Sequence, residues 1–150
     1  MGFYNSIEVS ASGLSAERLA MDVIANNIAN ANTTHTPQGG AFKRQLVVFA
    51  EKPGDPPAPG AGDAQAGGDG SGGQGGVEAV GIVQDQSPDR LVFDPSNPDA
   101  DARGYVHFPN VEVVKEMVDM MAASRAYEAN VTAIQEARTM GNAALGLLRS

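Results

Sequence analysis

The stretch NVEVVKEMVDMMAASRAYEANVTAIQEARTMGNAALGLLRS, residues 110–150, decides the fold. Within it Met117, Met120, Ser124, Tyr127, Val131, Ile134, Arg138, Gly141, Leu145 and Leu148 recur at alternating steps of three and four. That is the seam spacing of a coiled-coil helix. At 1.5 Å per residue such a helix is roughly 60 Å long and needs a partner of comparable length. Only the opposite end of the sequence, about 27 residues of helical pattern, is large enough. The sequence therefore predicts a mainly α chain whose long N- and C-terminal helices pair as an antiparallel coiled coil. A small β-rich middle domain and a disordered Gly/Pro-rich loop lie between them.

The first helix is expected from Asn5 to Ala31, with Asn5 as N-cap and Glu8 three residues on, as in a capping box. Ile7, Leu14, Met21 and Ile28 follow a seven-residue repeat, joined by Ala11, Ile24 and Ala25. Val9, Ala16, Ala20 and Val23 form a second stripe. Two apolar stripes imply at least two packing partners, and the chain supplies one obvious candidate, so the pattern points to assembly. The helix ends in ANNIANANTT, where Asn26, Asn27, Asn30 and Asn32 are poor helix formers. Two readings stand: a fraying end with solvated amides, or amides beside Ile28 that fix register against neighbouring chains.

After Pro37 and Gly39-Gly40, residues Phe42 to Phe49 read as a strand with Phe42, Arg44, Leu46 and Val48 on one face. Pro53 to Gly76 holds ten Gly and four Pro without a basic residue, and reads as a mobile loop. Val77–Val83, Leu91–Phe93 and Tyr105–Phe108 are short strand candidates divided by turn signals. Pro109 then breaks the extended chain, Asn110 is expected to cap the long helix, and Glu112 lies in its first turn. Val111, Val114, Val118 and Met121 add an apolar row that an isolated helix pair leaves exposed. The domains are accordingly 1–36 (helical), 37–108 (β-rich, containing loop 53–76) and 109–150 (long helix).

Charge is unevenly placed. Of the net −8, residues 53–104 carry nine acidic against two basic side chains, and both helical ends are close to neutral. Copies of the ends can therefore crowd together while the acidic middle faces solvent, and nucleic acid is not an expected partner. With no Cys there is neither a disulfide framework nor a thiolate metal site. No run of 18 apolar residues suggests a membrane span, and MGFYNS has no secretory leader pattern. The same start matches a myristoylation pattern at Gly2 and Ser6, a short match that presupposes a eukaryotic enzyme.

The chemical motifs are weak. Gly68-x-Gly70-x-x-Gly73 follows no strand and opens no helix, so it is not read as a nucleotide site. A calcium-binding glycine repeat fails because Gly72 stands where Asp is required. The turn FDPSNPDADARG offers Asp94, Asn97, Asp99 and Asp101, but an EF-hand from Asn97 meets Ala102 and Phe108 where Gly and Glu are needed; it reads as a solvated turn. His35 and His107 stand far apart without metal-ligand context. No nucleophile–base or paired-carboxylate arrangement is legible, so neither catalysis nor a cofactor or metal is expected. Arg125 and Tyr127 suit an interface, and Met117, Met120 and Met121 suit adaptable packing.

Four stretches carry a resemblance. SASGLSAERLAMDVIANNIANANTT (10–34) resembles the N-terminal signature of bacterial flagellar axial proteins, and VVKEMVDMMAASRAYEANVTAIQEA (113–137) their C-terminal signature. THTPQGGAFKRQLVVF (34–49) and FDPSNPDADARGYVHFPNV (93–111) resemble the C-type branch of the basal-body proximal-rod proteins; the glycine-rich loop departs from that pattern. The resemblance implies a structural, non-enzymatic rod subunit that polymerises helically through its terminal helices, transmits torque across the periplasm and is required for motility. It implies export by the flagellar type III apparatus without a cleaved signal. The implied partners are copies of itself, other rod proteins, and basal-body ring and rod-base proteins. The implied subunit-interface residues are Ile7, Leu14, Met21, Asn26, Asn27, Ile28, Asn30, Met117, Met120, Arg125, Tyr127, Val131, Ile134 and Leu145. Termini of this kind are expected to be disordered in the monomer. A coiled-coil adaptor of a type III export system and, more remotely, a wall-associated hydrolase using Asp94, Asp99 and Asp101 are the alternatives.

Overall fold

The computed structural model describes residues 2–52 and 75–147. In chain order these form α1 (Gly2–Ala29), β1 (Gln45–Glu51), β2 (Val77–Gln84), β3 (Arg90–Phe93), β4 (Tyr105–Phe108) and α2 (Val113–Leu147). The mainly α architecture with a small β-rich middle is as the sequence predicts. The loop expected at 53–76 falls almost wholly outside the described residues.

Helix α1 starts upstream of Asn5, which therefore lies inside the helix and does not cap it. Glu8 turns outward to Lys52, 3.7 Å away, rather than closing a capping box. The other end closes through its own amides: Asn30 Nδ2 donates to the Asn26 carbonyl and to Asn26 Oδ1, each at 2.9 Å. Asn110 is not the cap of α2 either. The first helical bond runs from Glu116 N–H to the Glu112 carbonyl, which makes Glu112 the N-cap residue. The Asn110 side chain is engaged elsewhere. It accepts from Arg44 N–H at 2.8 Å and donates to the carbonyls of Asp85 and Ser87.

The helices lie side by side and antiparallel, fixed by two tie points. Asn27 Nδ2 donates to Glu116 Oε2 at 2.9 Å. Fourteen residues away on each helix, Gly13 faces Asn130 so closely that a Cβ there would lie 2.8 Å from its amide nitrogen. Continuing that register sets Val23 opposite Met120, Ala20 opposite Ala123 and Ala16 opposite Tyr127. The inner seam of α2 is thus Glu116, Met120, Ala123, Tyr127, Asn130, Ile134 and Ala137. This corrects the predicted seam, which shares Met120, Tyr127 and Ile134 but takes Met117, Ser124, Val131 and Arg138 one residue too late. Two reasons combine: Ala123 and Ala137 are buried because they are small, Glu116 because Arg44 and Asn27 pair with it, whereas Met117 is 51% exposed. Close backbones favour small residues over the larger apolar ones that attract a hydropathy pattern.

On α1 the face toward α2 is the second stripe, Val9, Ala16, Ala20 and Val23, with Ala16 and Val23 buried. The chain also supplies a second partner that the pattern did not reveal. The β1–β2 hairpin lies along α1, forming an open groove with Ser12, Ser15, Ala16 and Leu19 on one side and Lys52 and Val77–Ala79 on the other. Ser12 Oγ accepts from Val77 N–H at 3.0 Å and donates to the Val9 carbonyl at 2.7 Å.

The middle region is two separate two-stranded antiparallel sheets. In β1–β2, Gln45 pairs with Gln84 and Glu51 with Val77, with a bulge between Val48 and Phe49. The strand thus begins three residues after the predicted Phe42, because the Phe42 and Arg44 N–H groups turn to other segments: Phe42 N–H donates to the Thr33 carbonyl and Arg44 N–H to Asn110 Oδ1. In β3–β4, Arg90 pairs with Phe108 and Phe93 with Tyr105, whose rings meet edge-on at 5.3 Å. Gly104 closes that hairpin at φ +81, a left-handed conformation that a side chain would strain. Val106 and Pro109, in and just after β4, are fully buried.

Candidate assembly surfaces

The foot of the helix pair is a buried polar junction. Glu116 is fully buried; its Oε1 accepts from Arg44 Nε at 2.5 Å and its Oε2 from Asn27. Arg44 Nη2 also reaches Asp119 Oδ2 at 3.2 Å. Asn27, 1% exposed, donates to the Gln45 carbonyl at 2.8 Å while its Oδ1 accepts from Gln45 N–H at 2.9 Å. Its amide therefore pairs with the backbone of β1 as another strand would, and ties α1, β1 and α2 at one point. Among the described residues no buried side-chain nitrogen or oxygen lacks a hydrogen-bond partner.

The two readings of the asparagine run divide between neighbours. Asn26 is exposed and Asn30 half-buried, closing the helix end; Asn27 is buried and fixes register. It does so inside its own chain rather than against another. Arg44, Gln45, Asn110 and Glu116 are the functional residues sequence reasoning missed. The only signal was a lone charge, Arg44, on the apolar side of a predicted strand.

The remaining predicted interface residues fall in four places. Ile7, Leu14, Met21 and Ile28 are half-buried on a side of α1 that helical geometry turns away from both α2 and the β1–β2 hairpin. Met120, Tyr127 and Ile134 belong to the inner seam, with half-buried Val131 beside it. Met117 and Arg125 are exposed on the far side of α2, where Val114, Val118 and Met121 join them at 69%, 54% and 53% exposure. Val111, expected in that row, is instead buried. Leu145 is exposed for a different reason: at the observed register Gly2 stands opposite Gly141, so α2 continues past the start of α1.

The acidic turn is bonded mostly within itself. Asp101 accepts from the backbone N–H groups of Tyr105 and Arg103, and these bonds hold its carboxyl below the ordinary carboxylate value. Asp94 accepts from Ser96, whereas Asp99 accepts from Thr34, 65 residues away. Asp85 is likewise lowered, first by the Ser87 hydroxyl and then by the Ser87 N–H. Asp85, Asp94 and Asp101 serve their own turns, and the described residues hold no group of three metal-ligating side chains. His35 and His107, far apart in sequence, line one shallow groove with Asp89 and Asp99; His107 Nδ1 lies 3.5 Å from Asp89 Oδ2.

Comparison with known proteins agrees with this arrangement. Residues 7–34 match the family described as "Flagella basal body rod protein", and residues 102–147 that described as "Flagellar basal body rod FlgEFG protein C-terminal". The first covers most of α1, the second β4 and α2. The flagellar basal-body rod protein FlgC of Borreliella burgdorferi is 45% identical, with 99% of each chain covered. The proteins of the same name from Bacillus subtilis and Escherichia coli O157:H7 are 40% and 39% identical over 93% of this chain and 94% and 93% of their own. Matches at both helical ends and relatives 39–45% identical over 93–99% of the chain place it in the FlgC family of flagellar basal-body rod proteins.

Proposed function

We propose that the chain builds the rod through the outward faces of its paired helices. Membership of the FlgC family makes it a structural subunit of the flagellar basal-body rod, working among other rod and basal-body proteins. The observation that carries the proposal is the apolar row Val114, Met117, Val118 and Met121, exposed on the side of α2 opposite α1. Ile7, Leu14, Met21 and Ile28 offer a second surface on α1. Two different apolar faces on one subunit suit heterologous contacts, in which each copy meets its neighbours through unlike surfaces and a helical array results.

In this reading the helix pair supercoils as a coiled coil and forms the wall of a tube in the periplasm. Residues 1–36 and 109–150 are its helical segments, and the acidic region 37–108 lies outside. Arg125, Tyr127, Val131, Ile134, Met120 and Leu145 complete the subunit contacts with Asn26 and Asn30; Asn27 supports them from within. Ring and rod-base proteins are the further neighbours, and the subunit travels unprocessed through the flagellar type III apparatus. Torque is borne by many small contacts and no catalytic step is involved. Among the described residues no helix is long and apolar enough to cross a membrane. The coiled-coil adaptor reading lacks support beside full-length rod relatives.

The test is genetic and structural together. Deleting the gene should arrest flagella at the proximal rod, and the wild-type chain should restore them. Complementation with Met117→Asp/Met121→Asp should leave a soluble, folded subunit that is absent from isolated basal bodies. Normal rods containing that variant would refute the outward-face assignment.

A further inference from the structure

Two uncovered surfaces of the chain match one another. The first is one side of the β3–β4 hairpin. Directly opposed residues of an antiparallel pair share a face, so Leu91 and His107 stand on the same side as Phe93 and Tyr105. The other side holds the fully buried Val106, and Phe108, whose ring lies under the Arg90 guanidinium. Leu91, Phe93 and Tyr105 instead keep 56%, 64% and 40% of their surface exposed. A two-stranded sheet with an apolar side in water is not a finished layer. Its far end carries acid. Asp94 and Asp101 spend Oδ1 on their own turn and Asp99 spends Oδ2 on Thr34, which leaves one oxygen of each for a cation from outside. Among the described residues none of the three is in an ion pair.

The second surface is the outer row of α2. Val114, Val118 and Met121 recur at steps of four and three, and the next step of four reaches exposed Arg125, so the row ends on a cation. Among the described residues Arg125 has no carboxylate partner. The apolar row from Val114 to Met121 spans about 10 Å, with Arg125 one turn beyond it. Leu91 to Phe93 spans about 7 Å, with the acidic turn beyond it. Each surface is thus a short apolar strip with charge at one end, and the charges are opposite. Both are left open within the chain, so joining them takes two copies.

We infer that the Leu91, Phe93 and Tyr105 face of one copy docks on the Val114 to Met121 row of the next, with Arg125 set against the acidic turn of Asp94, Asp99 and Asp101. The contact is heterologous: each copy offers its hairpin to one neighbour and its helix to another, so the array can continue. The inference rests on the reading of the outer row as a subunit contact and names what covers it. The apolar strips supply the cohesion. The charges fix the direction of docking, since the reversed orientation parts Arg125 from the turn.

The chain has no Cys of its own, so introduced pairs report the contact. In basal bodies isolated from cells expressing Phe93→Cys/Val118→Cys, a short bis-maleimide should join the chains into a ladder of dimers, trimers and longer products, as a heterologous contact requires. Each single variant should stay monomeric. Absence of any interchain product from the double variant overturns the inference, and so does a dimer from Val118→Cys alone, which sets helix row against helix row. Phe93→Asp, at an exposed site, should leave a folded monomer that is excluded from rods; normal rods containing it overturn the docking. Arg125→Glu places like charges together and should lower incorporation at least ~10-fold, while Arg125→Lys keeps it near the wild type. Undiminished incorporation of Arg125→Glu also overturns the docking. The outer-row variant separates the two readings. If Met117→Asp/Met121→Asp is excluded from rods while Phe93→Asp enters them, the row is a contact but the hairpin does not cover it; if both enter, the reading of the row fails as well.

Discussion

The inner and outer faces of the helix pair are packed differently. Between the helices the small or polar Gly13, Ala16, Ala20, Ala123, Asn130 and Ala137 alternate with the larger Val9, Val23, Met120, Tyr127 and Ile134, and the small ones let the backbones approach. Outside stand half-buried Ile7, Leu14, Met21 and Ile28 on α1, and Val114, Met117, Val118 and Met121 on α2. A hairpin built to be stable alone would place more of its large residues inside, where each fully buried side chain contributes about 1.5–3 kcal/mol. Here the outer row of α2 keeps 51–69% of its surface exposed. The difference teaches that intrachain pairing sets the spacing and register of the helices, and the outer faces supply the cohesion of the polymer.

The largest effect expected from this division is all-or-none. Val118→Asp, at an exposed site, should change monomer stability by no more than ~0.5 kcal/mol in urea titration yet abolish motility. A swimming strain would mean the outer row is not an interface. Glu116→Ala should act in the opposite sense, on the monomer itself. It leaves Arg44 with Asp119 alone and Asn27 with Gln45 alone, and should cost about 3 kcal/mol, the low end for breaking a buried pair, in the same titration. Ala123→Leu pushes bulk into the close seam, and about 1–3 kcal/mol of destabilisation is expected from the denaturation midpoint. If that substitution is neutral, the seam has room and the contrast between faces is weaker than drawn.

Smaller still is Gly13→Ala. A helical Gly→Ala change gains up to ~1 kcal/mol, but the new methyl must displace the Asn130 amide, so the net change should stay below that gain. Asn130→Ala/Gly13→Ala should recover the full gain, and its absence would place Asn130 elsewhere. The least effect belongs to the turn. The Asp101 carboxyl is held below its ordinary value, so its contribution is present above the unfolded carboxylate pKa and is lost as pH falls through the folded one. Asp101→Asn should lower thermal stability slightly at neutral pH and flatten the acid limb, so that variant and wild type converge in acid; an unaltered acid limb would show that the turn does not sense pH.

Strand positions were legible to within a few residues because β4 and β2 are bounded by strong turn chemistry, and the long helices because their periodicity is sustained. The heptad stripe Ile7–Ile28 was legible as well, but its direction was not. Hydropathy ranks Met117 above Glu116, and no local rule announces that a glutamate will be buried because an arginine 72 residues earlier reaches it. Caps failed for a related reason. Asn5 and Asn110 have the right side chain for a helix start, yet helix α1 begins before the one, and long-range hydrogen bonds claim the other. For the asparagine run the sequence leaves fraying and register both open, and only the structure shows that Asn27 fixes register, through Gln45 and Glu116 of its own chain. Long-range polar pairing carries no periodic signal, and that is where the sequence reading stopped.

One local closure has a consequence for how this chain can vary. The β1–β2 hairpin shuts at Glu51 and Val77, and Lys52 N–H donates to the Gly76 carbonyl at 2.8 Å. Gly76 sits so near the Ser12 hydroxyl that a Cβ would collide with it, which anchors the closure on α1. Whatever is spliced between positions 53 and 75 starts and finishes at neighbouring points, and lengthening a closed loop costs only about 0.6 kcal/mol per doubling. The hairpin is thus a socket with a fixed rim and free capacity: an epitope or reporter inserted there would ride on the subunit without touching the register of either helix.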